Sequence, residues 1–154
     1  MLLSDLLTTD RIRIPLEASS KDELLLELVA LATANDGGID PDEVLRAVRE
    51  REAVLSTGIG HGVAIPHGKS PAVPDLRMAA GTVREPVEFD ALDGEPVRLL
   101  FLLVGPETAA GPHIKALSRI SRLVRNDELR ARLVAAPDAA SFIAAMNEAE
   151  ASPV

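Results

Sequence analysis

Cysteine, tryptophan and tyrosine are absent from this chain of 154 residues, and Phe89, Phe101 and Phe142 are its aromatic side chains. Without cysteine there are no disulfides, no thiolate nucleophile, no cysteine-held zinc and no iron–sulfur cluster. At 2% aromatics, the stacking surfaces on which bases or sugars rest are also missing. Long apolar runs are lacking too. Leu99–Val104 is the longest clear one, far short of the ~20 residues of a bilayer-spanning helix. The stretch from Met1 to Leu7 is apolar, but no basic flank precedes it and Asp10 follows, which argues against a secretory signal. The expected setting is cytoplasmic. Basic residues are outnumbered, 16 Lys and Arg against 24 Asp and Glu. The resulting formal net charge of −8 opposes binding to nucleic acid or to an anionic membrane.

What is present is a globular composition, with 47% apolar and 26% charged residues, at a length that suits one domain. Ile12 and Ile14 alternate with arginines before Pro15, as in a short edge strand. Ser20 followed by Glu23 is a capping box for a helix carrying Leu24, Leu25, Leu28, Val29 and Leu31. Asp40, Pro41 and Glu43 read as N-cap, first turn and N3 of a second helix, which runs to about Glu52. Leu76–Arg84 and Val87–Phe89 read as two strands, with a turn at Asp93-Gly94. Val97–Val104, apolar apart from Arg98, fits a central strand buried on both faces. Ile114, Leu117, Ile120 and Val124 recur at helical spacing. A short helix follows Asn126, and a last one, bearing Phe142, Ile143 and Met146, starts at Pro137-Asp138. The expected fold is α/β: a single domain over residues 1–148, with a mixed β-sheet sandwiched between α-helices, and a flexible tail over 149–154.

The segment from Ser56 to Ser70 is where chemistry is expected. It holds four glycines and two of the chain's three histidines. His67 stands between Pro66 and Gly68, in a turn that Pro66 stiffens and to which Gly68 lends conformational freedom. A neutral imidazole displayed there is a nucleophile, and a plain polar loop residue is the other reading. His113 follows Gly111-Pro112 at the start of a helix, where backbone N–H groups favour an anion. There it is a hydrogen-bond donor or merely a cap. His61, between Gly60 and Gly62, either lines the loop or faces water. The histidines lack the spacing of a zinc site, so no metal is expected. Gly58, Gly60 and Gly62 match neither a P-loop nor a dinucleotide fingerprint, so no nucleotide cofactor is expected. Backbone N–H groups, the Ser56 and Thr57 hydroxyls and Lys69 suit a phosphoryl group instead. Residues 113–133 carry six basic against two acidic side chains, either a solvated face or a docking surface for an acidic partner.

The run Ser56-Thr57-Gly58-Ile59-Gly60-His61-Gly62-Val63-Ala64-Ile65-Pro66-His67-Gly68-Lys69 resembles the signature of enzyme IIA of the bacterial phosphotransferase system (PTS), in its fructose/mannitol and nitrogen-regulatory class. Phe89–Val97 resembles that family's turn into its central strand, and His113–Ile120 its second-histidine helix. The resemblance extends from about Leu3 to Met146. It implies a phosphotransferase that relays a phosphoryl group without cofactor or metal. His67 would be the acceptor, His113 the second active-site histidine, and Arg51 an arginine near the phosphate. Ser56 and Thr57 would bind that phosphate. At His61 the family more often has Asn or another residue. The implied donor is the phosphocarrier HPr or a relative. The implied acceptor is a separate IIB component serving fructose- or mannitol-type sugar uptake. The alternative is a nitrogen-regulatory role, in which phosphorylation of His67 controls binding to regulatory targets. A metal-dependent hydrolase using the three histidines is the competitor from another class.

Overall fold

The computed structural model describes residues 2–151. Its strands are β1 (Ile12–Arg13), β2 (Gly58–Gly60), β3 (Val63–Ala64), β4 (His67–Lys69), β5 (Arg77–Val87) and β6 (Val97–Gly105). Its helices are α1 (Lys21–Thr33), α2 (Pro41–Val54), α3 (Ala110–Leu123), α4 (Asp127–Ala135) and α5 (Ala139–Ala151). The N-cap residues are those the sequence predicts, with the Ser20 half of the expected capping box in place. The Ser20 hydroxyl accepts from the Glu23 amide, the Asp40 carboxylate from the Asp42 amide, and Asn126 from the Leu129 amide.

Strand β6 is the axis, buried along its length except at Arg98. On one side it pairs antiparallel with β5, which in turn carries β1 at the sheet edge in parallel register. On the other side it pairs in parallel first with β3 and then with β4. Ile65 and Pro66 separate those two strands. Pro66 has no amide to give to a ladder, but its carbonyl still accepts from Leu103 N at 3.0 Å. β2 closes the far edge against β3.

Alternation along β6 builds two cores. Leu100, Leu102 and Val104 pack with Leu24, Leu28, Val44 and Val48 of α1 and α2. Leu99, Phe101 and Leu103 pack with Ile120 of α3, Leu133 of α4 and Phe142 of α5. The mixed sheet lies between these helical layers, which is the α/β sandwich that the sequence implies.

Several expectations need correction. β5 is one strand to Val87 rather than two, with a register slip against β6 between Thr82 and Val87. Phe89 lies outside it, fully buried in the α1/α2 core. The stripe on α3 is split: Ile120 and Val124 are buried, Leu117 is half-buried and Ile114 is 63% exposed. His113 and Ala116 occupy the buried face instead. α5 runs to Ala151, and its Glu150 has a structural task. Its carboxylate accepts from the amides of Leu3 and Ser4, which ties the last helix to an N-terminal 3-10 turn. Residues 152–154 of the expected tail lie outside the described residues. None of the described helices is long and apolar enough to cross a membrane.

Candidate functional site

His67 opens β4 opposite Leu103, and both belong to the sheet face that looks towards α3. The next residue, Gly68, looks the other way, at α2. A Cβ there would stand 3.0 Å from Val48 N and 3.1 Å from both Ala47 C and Val48 Cγ2. Gly68 is therefore needed for close approach of helix and strand. The backbone freedom expected of it is not used, since the glycines with positive φ are Gly60, Gly62 and Gly94. That approach brings Ala47 and Arg51 of α2 over the edge of β4. They form a cleft of about 300 Å³ with His67, Gly68, Lys69, His113, Ile114 and Leu117.

The His67 ring is fixed by its own backbone. Nδ1 lies 2.8 Å from the carbonyl oxygen of Ile65. A carbonyl only accepts, so Nδ1 carries the proton and the lone pair sits on Nε2. Burial, opposed by the Ile65 hydrogen bond, holds the imidazole below its usual pKa, and the charges of Arg51 and Lys69 add to the effect. The ring is thus neutral at neutral pH, with a free nucleophilic nitrogen.

His113 faces it edge-on, with ring centroids 5.6 Å apart and planes inclined at 70°. It is the fourth residue of α3 and is 2% exposed. Burial first, then the neighbouring His67 and Lys69, push its pKa down to about 4. Among the described residues, neither ring nitrogen has a hydrogen-bond partner. A neutral buried imidazole left unpaired costs about 1–3 kcal/mol. An anion with oxygens beside His67 would accept its free N–H and relieve that cost. Arg51 completes the cleft, its Nη1 donating to Leu55 O at 2.8 Å. The structure therefore brings His67, His113 and Arg51 together, with Lys69 beside them.

Ser56 and Thr57 do not line the cleft. The Ser56 hydroxyl donates to Phe89 O at 3.0 Å and accepts from Gly58 N at 3.1 Å. Thr57 is buried, with its amide 2.9 Å from the Glu52 carboxylate and its hydroxyl donating to the other carboxylate oxygen. Lys21 joins this group, 3.1 Å from Glu52 and 4.8 Å above the Phe89 ring centroid. Thr57 thus anchors the loop to α2, and Ser56 ties it to the backbone at Phe89. Glu52 and Lys21 were not singled out from sequence, and no local pattern marks a carboxylate that caps a loop five residues on. His61 lies in the left-handed region at φ 56°, exposed, with its amide on Asp93 Oδ2 at 3.0 Å. Asn, Asp and His adopt that conformation more readily than other side chains, so His61 sits there at little cost. Among the described residues, no group of three His, Asp or Glu side chains is placed to hold a metal ion.

Comparison with known proteins shows the family. Residues 5–149 match the family described as phosphoenolpyruvate-dependent sugar phosphotransferase system, EIIA 2. The chain is 39% identical over 139 residues to a nitrogen regulatory protein of Bradyrhizobium diazoefficiens, spanning 90% of each chain. It is 37% identical over 114 residues to the PTS fructose-specific EIIA component of Haloferax volcanii, spanning 74% of this chain and 72% of the other. The crystal structure of the nitrogen regulatory protein IIA-Ntr from Neisseria meningitidis superposes with a TM-score of 0.87 at 34% identity, over 94% of this chain and 98% of that one. On this evidence the chain belongs to the EIIA 2 family of the phosphoenolpyruvate-dependent sugar phosphotransferase system.

Proposed function

We propose that this chain is a phosphohistidine carrier that accepts a phosphoryl group on Nε2 of His67 from a phosphocarrier of the HPr type. The observation that carries the reading is the Nδ1–H···O=C bond to Ile65, which leaves Nε2 as the free nucleophile. In the transfer, the Nε2 lone pair attacks phosphorus in line while the P–N bond to the donor ring breaks, and the donor nitrogen keeps that electron pair. As Nε2 bonds phosphorus the ring becomes cationic. The Ile65 carbonyl, holding the Nδ1 proton, then stabilises the charge. His113 gives its free N–H to a phosphoryl oxygen, and Arg51 and Lys69 offset the negative charge. A dissociative phosphoryl transfer asks for little beyond such positioning and charge compensation. The same features favour onward transfer, because a cationic ring is the better leaving group.

For the downstream step, the reading best supported is regulatory, with the phosphorylation state of His67 controlling contact with a target protein. Its support is end-to-end similarity to nitrogen regulatory proteins in both sequence and fold. Relay to a separate IIB component for fructose-type uptake is the second reading, supported by the Haloferax volcanii EIIA component.

The test is incubation with phosphoenolpyruvate, enzyme I and HPr, read by intact mass. The expected result is one acid-labile phosphoryl group, absent in His67→Ala. Labelling of His67→Ala to the same extent would overturn the assignment. Transfer from the labelled protein to a IIB component would separate the relay from the regulatory reading.

A further inference from the structure

Glu52 lies outside the His67 cleft, yet hydrogen bonds connect the two residues without a gap. The amide and hydroxyl of Thr57 both donate to the Glu52 carboxylate. The Thr57 carbonyl accepts from the Ile65 amide at 3.0 Å. The Ile65 carbonyl accepts from Nδ1 of His67 at 2.8 Å. Glu52, Thr57 and Ile65 are all buried, so water does not compete along this route. Ile65 sits in the gap between β3 and β4, and its amide is held from the Thr57 side. Where Thr57 stands therefore decides where the carbonyl that grips the ring stands.

We infer that Glu52 is a positioning residue for phosphoryl transfer at His67: its carboxylate, working through Thr57 and Ile65, keeps the proton on Nδ1 while phosphorus is bonded to Nε2. This rests on the phosphocarrier reading above and adds to it a residue that touches neither the phosphoryl group nor its donor. A carboxylate that orients an imidazole and stabilises its cation is familiar from hydrolytic triads, where it contacts the ring directly. Here two backbone segments stand between them. The phosphorylated ring is cationic as long as Nδ1 keeps its proton. When the group leaves, the P–N bond breaks, Nε2 keeps the electron pair and the ring is neutral again. Burial is the first influence against a charged ring, and Arg51 of α2 and Lys69 of β4 also oppose it, whereas the Ile65 bond and the Glu52 charge favour it. His113 of α3 faces the ring as a neutral group. Lys21 of α1 partly offsets Glu52 from 3.1 Å, and Asp90, 3.7 Å from Lys21, is 80% exposed and screened by water.

The test is a pH titration of ¹⁵N-histidine-labelled protein by NMR, run beside labelling of His67 by the small donor phosphoramidate. Glu52→Gln removes the charge and keeps the shape, since its oxygen accepts from the Thr57 amide and its NH₂ donates to the Thr57 hydroxyl. His67 should then titrate at lower pH than in wild type, still protonated at Nδ1 when neutral, and labelling at pH 7 should slow about tenfold. Glu52→Leu also releases both Thr57 donors, so its neutral His67 should become a mixture of the two tautomers. Lys21→Met uncovers the carboxylate and should move the titration the other way, to higher pH. It carries the test whether or not the Glu52 variants fold, and a purely structural role for the cluster predicts no such opposition of sign. An unmoved titration in Lys21→Met, the same direction of change in Lys21→Met and Glu52→Gln, or an unaltered tautomer in folded Glu52→Leu would overturn the inference. Failure of phosphoramidate to label wild-type His67 would instead overturn the phosphocarrier reading, with the titrations still deciding whether Glu52 governs the ring.

Discussion

The imidazole of His67 donates through Nδ1 to the carbonyl of Ile65, two residues earlier, at 2.8 Å. The pair spans Pro66, where the parallel ladder between β3–β4 and β6 is interrupted. The acceptor is backbone, so side-chain substitution at position 65 does not remove it. The geometry that frees Nε2 is thus built into the path of the chain.

The unpaired ring of His113 predicts a conflict between stability and function. His113→Leu fills a similar volume without burying polar atoms. It should leave the unmodified protein as stable or more stable by about 1–2 kcal/mol. The phosphorylated form should hydrolyse or transfer at an altered rate, since a donor to the phosphoryl group is gone. Denaturant melts and the lifetime of the label check both parts, and a large loss of stability in the unmodified variant would contradict the account.

Stability should depend on pH through the same residue. His113 is neutral in the folded state down to about pH 4, whereas the unfolded chain protonates it near 6.5. Unfolding therefore takes up a proton between those values, and stability is greatest above pH 6.5 and falls as the pH drops towards 4. The loss attributable to this ring is on the order of 3 kcal/mol. Melts across that window should be flatter for His113→Leu than for wild type, and parallel curves would show that the ring is not the cause.

Gly68 predicts a packing effect distinct from backbone strain. Gly68→Ala places a Cβ against the backbone of Ala47 and Val48. It should cost about 1–3 kcal/mol and push α2 away from β4, weakening the contribution of Arg51. Labelling of His67 should slow while the site residues remain unchanged. Unaltered stability would mean that the helix has room to retreat.

The Glu52 network should behave as a coupled unit. Glu52→Leu leaves the buried Thr57 amide unpaired and removes the anion beside Lys21, at a cost of about 2–4 kcal/mol. Lys21→Met in the Glu52→Leu background should cost much less than in wild type, because its buried partner is already gone and Asp90, 3.7 Å away, is exposed. Additive effects of the two substitutions would contradict the coupling.

Much of this was legible in the sequence because the signals are local. Ser20, Asp40 and Asn126 announce helix starts by their own side chains, and the apolar run of β6 declares a strand buried on both faces. His67 and His113 stood out by their glycine and proline neighbours. What sequence could not supply is orientation set by tertiary contact. Ile114 obeys the helical period of α3, yet the helix is turned so that His113 and Ala116 fill the core. Ser56 and Thr57 are adjacent to the loop's glycines, but the chain folds them inward onto Phe89 and Glu52. Glu150 reads as part of a flexible tail until its distant partners, Leu3 and Ser4, are seen.

The central claim is that Nε2 of His67 is the phosphoryl acceptor because Nδ1 is held as a donor. ¹⁵N-detected NMR of histidine-labelled protein before and after phosphorylation tests it directly. The account predicts a neutral ring protonated at Nδ1 at pH 7, and phosphorus bonded to Nε2 after transfer. A ring protonated at Nε2 in the free protein, or a phosphoryl group found on Nδ1, would contradict it.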